Sequence, residues 1–322
     1  MILHFVSALL LASIPSSHAF NNLFSSSASS TKAALPKLTL PDGFQAPTPR
    51  AFTVSQLDWL PNMATGSIVL LLRQACGATT IGWKPAFEEA QEGEYSLKLG
   101  GAELRDQDPL LPTLKRPSKP LVLYDYELSP YCRVVREAAS KLDINLEIRP
   151  CPRGGTVFRK KAETAGGKQQ FPYLEDPNTR VSLYESLDIV NYLFDQYGPG
   201  ADNIPGVLKA SPLFAGVIAV LLRGGAGSAR NADAFEENAL RKPIELWAYD
   251  GSPFVRPVRE KLTELELPHI LITCSRGSPK RDELVKRTGT FQVPYIFDPN
   301  TGVEMFESQD ICQYLDQVYT SC

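Results

Sequence analysis

Residues 121–137 read LVLYDYELSPYCRVVRE, and residues 244–260 read IELWAYDGSPFVRPVRE. Further along, QQFPYLEDPNTRVSLYESLDIVNYL (169–193) returns as FQVPYIFDPNTGVEMFESQDICQYL (291–315). Ser129 maps to Ser252 at an offset of 123 and Pro172 to Pro294 at 122, so one single-residue gap aligns the two units end to end. The chain states one small unit twice, and that unit decides the fold.

Each unit opens with a short apolar and aromatic strand, Leu121–Tyr126 or Ile244–Tyr249. A turn containing Ser-Pro follows, then an amphipathic helix; Val255, Val258, Leu262 and Leu265 fall at helical spacing. A second strand (Leu146–Arg149, Ile270–Thr273) and a second helix come next. Then Phe-Pro-Tyr-Leu or Val-Pro-Tyr-Ile runs into an Asp-Pro-Asn-Thr turn, a short strand and a last helix beginning near Glu-Ser. The order β-α-β-α-β-β-α predicts an α/β fold with helices on both sheet faces.

Composition narrows the function. A net charge of −3 offers no basic footprint, so a nucleic-acid partner is disfavoured. Six cysteines without a Cys-x-x-Cys pair, and three histidines of which only His269 lies beyond the leader, argue against a metal site, a disulfide scaffold and a histidine-based triad. Residues 1–41 contain no Asp or Glu. An apolar run, small residues at Ser17-His18-Ala19 and a Ser-rich stretch after Phe20 resemble the two-part plastid-targeting leader of algae with complex plastids. The expectation is a signal peptide over 1–19, a transit-like segment over 20–44 and a stromal protein with reduced thiols, with plain secretion as the alternative. Residues 45–118 form a helical or irregular N-terminal extension, 119–197 and 243–322 the two domains, and 198–242 a linker. In that linker Leu213–Leu222 predicts a packed helix, too short to span a bilayer, and 224–229 flexible chain. Membrane contact through Leu213–Leu222 is the lesser alternative.

Ser129-Pro130-Tyr131-Cys132 resembles the glutaredoxin motif with Ser in place of the first cysteine, and Ser252-Pro253-Phe254 resembles the turn of plant tau-class glutathione transferases. Each unit resembles the N-terminal, thioredoxin-like domain of the glutathione S-transferases. That resemblance implies two tandem thioredoxin-like domains and glutathione as the ligand. It implies that Ser129 and Ser252 contact the glutathione sulfur. Pro172 and Pro294 match the family's cis-proline, beside the backbone that pairs with the cysteinyl part. Glu185-Ser186 and Glu307-Ser308 match the pair that holds the γ-glutamyl group. Proline before the third strand also belongs to the fold itself, and Glu-Ser is also a plain helix start.

Cys132 sits in the resolving position, one turn into a helix whose N-terminus favours a thiolate. The second unit has Val255 there. Cys151 and Cys274 hold equivalent places after the second strand. Cys151, with Arg153 to lower its pKa, is the candidate redox partner of Cys132; the simpler reading is two buried thiols. The resemblance also implies a helical C-terminal domain that would build an electrophile pocket, and neither unit is followed by one of that size. The expected function is therefore a glutathione-dependent thiol–disulfide oxidoreductase or transferase-like protein, with glutathione or glutathionylated proteins as partners. The alternative is a non-catalytic glutathione-sensing or protein-binding module.

Overall fold

The computed structural model describes residues 35–50, 60–99 and 102–321. The expected signal peptide, most of the transit-like segment and Cys322 lie outside the described residues. Leu38, Leu40 and Phe44, at the end of the expected transit-like segment, pack against the core. Helix α1 (Leu60–Leu72) leads into a small antiparallel sheet of β1 (Lys84–Ala86), β2 (Leu97–Leu99) and β3 (Ala102–Gln107), ordered β1-β3-β2. The extension is thus not merely helical or irregular. Two of its strands have three residues each, too few to show a period in sequence.

The first repeat runs β4 (Leu121–Asp125), α2 (Pro130–Lys141), β5 (Leu146–Pro150), α3 (Phe158–Gly166), β6 (Tyr173–Asp176), β7 (Val181–Leu183), α4 (Ser186–Tyr197). Strand β4 is buried throughout because both its faces are covered. Leu121 and Leu123 meet Val134, Ala138, Ile189 and Leu193 of α2 and α4, while Val122 and Tyr124 meet Phe158 and Ala162 of α3. After α5 (Gly206–Lys209) and α6 (Leu213–Arg223), the second repeat repeats the order: β8 (Ile244–Ala248), α7 (Val255–Glu264), β9 (His269–Thr273), α8 (Lys280–Thr288), β10 (Tyr295–Asp298), β11 (Val303–Met305), α9 (Ser308–Tyr319). Val255, Val258, Leu262 and Leu265 are fully buried, as their spacing predicts.

The Asp-Pro-Asn-Thr turns do more than reverse the chain. Asp176 accepts hydrogen bonds from the Tyr192 and Tyr197 hydroxyls at 2.7 and 2.6 Å, and Asp298 from Tyr314 and Tyr319 at 2.5 and 2.6 Å. Each turn is thereby tied to the last helix of its repeat.

The two repeats share one eight-stranded sheet, ordered β11-β10-β8-β9-β5-β4-β6-β7. Within each repeat the first two strands are parallel; between repeats β5 and β9 pair antiparallel, Leu146 with Leu271, Glu147 with Ile270 and Ile148 with His269. Glu147 and Ile270 are the same repeat position, so an internal pseudo-twofold axis passes between them, as in an isologous dimer. One core cluster holds apolar side chains from both repeats.

The pseudo-symmetry reaches back beyond the repeats read from sequence. Arg73 at the end of α1 pairs with Glu137 of α2, and Arg223 at the end of α6 pairs with Glu260 of α7. Past α1, the Thr80 N–H donates to the Arg276 carbonyl and the Arg276 N–H to the Ala78 carbonyl, each at 2.9 Å. Past α6, the Arg153 N–H donates to the Ser228 carbonyl at 2.7 Å and the Arg230 N–H to the Arg153 carbonyl at 2.9 Å. Each strap thus ties itself to the repeat opposite the one its arginine grips. Residues 224–229 are packed chain rather than the expected flexible linker. Gly227, at φ +74°, lies so close to Glu127 that an added Cβ would come within 2.9 Å. Helix α6 packs its small residues Ala215, Gly216 and Ala219 inward and exposes Leu213, Phe214, Val217, Val220 and Leu221. No helix among the described residues is long and apolar enough to cross a membrane.

Between the repeats lies a buried ionic cluster. Arg136 pairs with Asp125, Glu127 and Asp250; its equivalent Arg259 pairs with Glu127 and Asp250. Burial alone would raise the Asp250 carboxyl, but Arg259, Arg136 and Arg133 hold it below the usual carboxylate range. Burial pushes Asp125 the other way, above that range, despite Arg136. Removing one of these guanidinium groups would leave carboxylates buried and unmatched, a loss on the order of 3–5 kcal/mol.

His269 lies on the seam, 1% exposed, its Nδ1 paired with the Leu267 carbonyl at 3.1 Å. Burial pushes its pKa down to about 4. In the unfolded chain a histidine takes up its proton near pH 6.5, whereas the folded chain resists it. The stabilisation is therefore complete above about pH 6.5 and is lost as pH falls from there toward 4. Urea unfolding should lose about 2 kcal/mol between about pH 6.5 and 5, and His269→Leu should flatten that window.

Candidate functional site

In each repeat the turn after the first strand, the loop before the third and the start of the last helix converge at one end of the sheet. Five of the sequence-predicted residues (Ser129, Cys132, Pro172, Glu185 and Ser186) lie on these segments in the first repeat and four (Ser252, Pro294, Glu307 and Ser308) in the second, but their surroundings differ.

At the first turn, Ser129 caps α2: its Oγ accepts from the Cys132 N–H at 3.2 Å, and the residue is 3% exposed. Helix α6 lies across it; a Cβ on Gly216 would come within 2.7 Å of Pro130. Ser252 is 4% exposed, and the strap after α1 lies on its turn, where a Cβ on Gly251 would meet Ala78 at 2.7 Å. The two serines proposed to face a sulfur atom are therefore both roofed, Ser129 by α6 and Ser252 by the strap after α1.

The thiols are equally enclosed. Cys132, Cys151 and Cys274 have no exposed surface. Burial, with the Asp125 charge beside it, pushes the Cys132 thiol up to about 12. Burial and Asp125 also push Cys151 well above its ordinary value, and burial takes Cys274 to about 12. The expected lowering of the Cys151 pKa by Arg153 does not occur: the guanidinium that acts on it is that of Arg159, which offsets burial only in part. In this conformation the cysteines of the motif are neutral thiols at pH 7, not nucleophiles.

The loop before the third strand carries cis peptide bonds at Phe171–Pro172 and Val293–Pro294. None of the described hydrogen bonds uses the main chain of Phe171 or Val293. Sequence reasoning missed the residue that braces this loop. Arg159 donates through Nε to the Cys151 and Pro152 carbonyls, at 3.1 and 2.6 Å, and its guanidinium lies 5.1 Å from the Phe171 ring centroid. Arg281 does the same with the Cys274 and Ser275 carbonyls, both at 3.1 Å, and sits 4.3 Å from Phe291. The signal was present: the two arginines are 122 residues apart, the same offset as the prolines.

At the last helix, Glu185 and Glu307 precede Ser186 and Ser308 with φ of +61° and +72°, a region that non-glycine residues seldom adopt. Neither glutamate side chain caps its helix, so the simple cap reading does not describe them. Glu185 is exposed and, among the described residues, accepts from Gln170. Glu307 is 3% exposed: it accepts from Gln292 Nε2 and from the main-chain N–H of Arg50, each at 2.8 Å. A cleft of about 300 Å³ lies beside Ser308, between Pro253, Pro257 and Cys312. No group of His, Cys, Asp and Glu among the described residues could hold a metal ion.

The burial of Cys132, Cys151 and Cys274 predicts that a thiol reagent such as Ellman's will leave all three unmodified at pH 7 in the native chain and react with them in denaturant. Fast native modification of Cys132 would contradict the closed turn.

Residues 123–201 and 246–321 match the family model described as glutathione S-transferase, N-terminal domain. A glutathione S-transferase-like protein of Aspergillus fumigatus is 33% identical over 78 residues, covering 24% of this chain and 34% of that protein. The chain thus spans about a third of the length of that curated relative. Among solved structures, a Bombyx mori glutathione transferase is 25% identical with a TM-score of 0.23, covering 26% of this chain and 39% of its own. A trimeric glutathione transferase of Leishmania is 15% identical with a TM-score of 0.25, covering 63% and 68%. Two stretches of the chain, residues 123–201 and 246–321, thus form a tandem pair of the glutathione S-transferase N-terminal type.

Proposed function

We propose that this protein is a plastid glutathione-binding module whose first repeat is the working site. The observation that carries this reading is the exposed Glu185 at the start of α4, beside the buried Ser186 and the main chain of Phe171, which no described hydrogen bond uses. The start of α4 offers free N–H groups and the Ser186 hydroxyl to the γ-glutamyl carboxylate. The Glu185 carboxylate suits the ammonium group, and the Phe171 main chain can pair with the cysteinyl unit as an added strand would. Glutathione or a glutathionylated protein would engage through these same groups.

The thiol–disulfide oxidoreductase reading needs a thiolate, and the buried, neutral Cys132 and Cys151 speak against it. Conjugation needs the sulfur to stand free beside Ser129, which α6 roofs. Sensing or docking without turnover therefore fits better. The plastid assignment rests on the acid-free leader alone.

Calorimetric titration of the mature chain with glutathione should give one ligand per chain. Losing one charged hydrogen bond in Glu185→Gln should weaken binding about tenfold or more, whereas Glu307→Gln should leave it unchanged. Absence of binding at millimolar glutathione, or the reverse response of the two variants, would overturn the reading. Residues 1–44 fused to a fluorescent protein should direct it into the plastid of an alga with complex plastids; secretion would refute that part.

A further inference from the structure

The two Glu-Ser sites are equivalent in sequence and opposite in state. In the first, Glu185 and Asp188 are exposed. In the second, the equivalent Glu307 is buried beneath the chain's own N-terminal segment. The Arg50 main-chain N–H donates to Glu307 Oε1 at 2.8 Å, and the Arg50 guanidinium pairs with Asp310. Six residues earlier, the Phe44 ring lies 5.4 Å from that of Tyr314, and Leu38 and Leu40 pack on the same core. The segment is held by apolar burial at one end and by donors to two carboxylates at the other.

A main-chain N–H at Glu307 supplies what a ligand's ammonium supplies, a donor to the carboxylate, and the adjacent guanidinium supplies the positive charge. We infer that the second repeat is a latent glutathione site, filled by residues 44–50 of the same chain, and that segment and ligand exclude one another. This inference rests on the reading of the first repeat as a glutathione site. The second site has the remaining parts: Ser308 at the start of α9, and the Val293 main chain, which no described hydrogen bond uses. At the glutamate itself the two repeats differ in this cover. Tethering explains why a weak contact suffices. A segment joined to its site by the chain acts at an effective concentration on the order of millimolar.

Proline is the one substitution at position 50 that deletes the main-chain donor and the guanidinium together. In the chain from residue 35 onward, Arg50→Pro should raise glutathione stoichiometry from one to two, and Arg50→Pro combined with Glu307→Gln should return it to one. Amide exchange gives a second readout that needs no ligand: the Arg50 N–H should be slow in the wild type and fast in Glu307→Ala, which removes the acceptor. A wild type and an Arg50→Pro variant that each bind one glutathione would overturn the latent site, as would fast exchange at Arg50 in the wild type. One glutathione bound by Arg50→Pro and none by the wild type would support the latent site while sinking the assignment of the first repeat. No binding by either would sink both.

Discussion

Antiparallel pairing of β5 with β9 is the constraint on which the rest of the structure depends. In a lone repeat each of these strands would be a free edge, with a row of unpaired donors and acceptors. Pairing them removes both edges and places the axis between Glu147 and Ile270. It brings α2 and α7 together, so that Arg136 and Arg259 share Asp250 and Glu127 across the seam. Such groups tolerate burial only in each other's company, which ties the repeats more tightly than apolar contact alone.

The same pairing shapes the chemistry. Once the repeats are joined, the segments after α1 and α6 reach across the axis and lie over the turns that carry Ser252 and Ser129. The helix start that would favour a thiolate at Cys132 is outweighed by burial and by Asp125, because the ionic cluster is built around that turn. What stays accessible is the other end of the site, where the last helix begins. There the pseudo-symmetry is broken by the N-terminal segment, which covers Glu307 and leaves Glu185 in solvent.

Much of this was legible in the sequence. The repeat, the order of elements and the converging Ser, Pro and Glu-Ser positions all follow from local pattern, because strand and helix periods and turn residues act over a few neighbours. The pairing of β5 with β9 was not legible: a five-residue strand carries no mark of which edge it will meet. The relation between α1 and α6 was written in the chain, as Leu71-Leu72-Arg73 and Leu221-Leu222-Arg223 with a glycine four residues later and Ala-Phe-Glu-Glu beyond. It was masked because β2 and β3 are inserted into the first copy alone. The state of the cysteines was invisible for a different reason: a thiol's pKa depends on charges and burial that come from remote chain.

The central claim is that the two repeats form one body rather than two domains on a string. Scanning calorimetry of the chain from residue 35 onward tests it most directly. A single transition with equal calorimetric and van't Hoff enthalpies is expected, since neither repeat keeps its edge or its ionic partners alone. Two separable transitions would contradict the account.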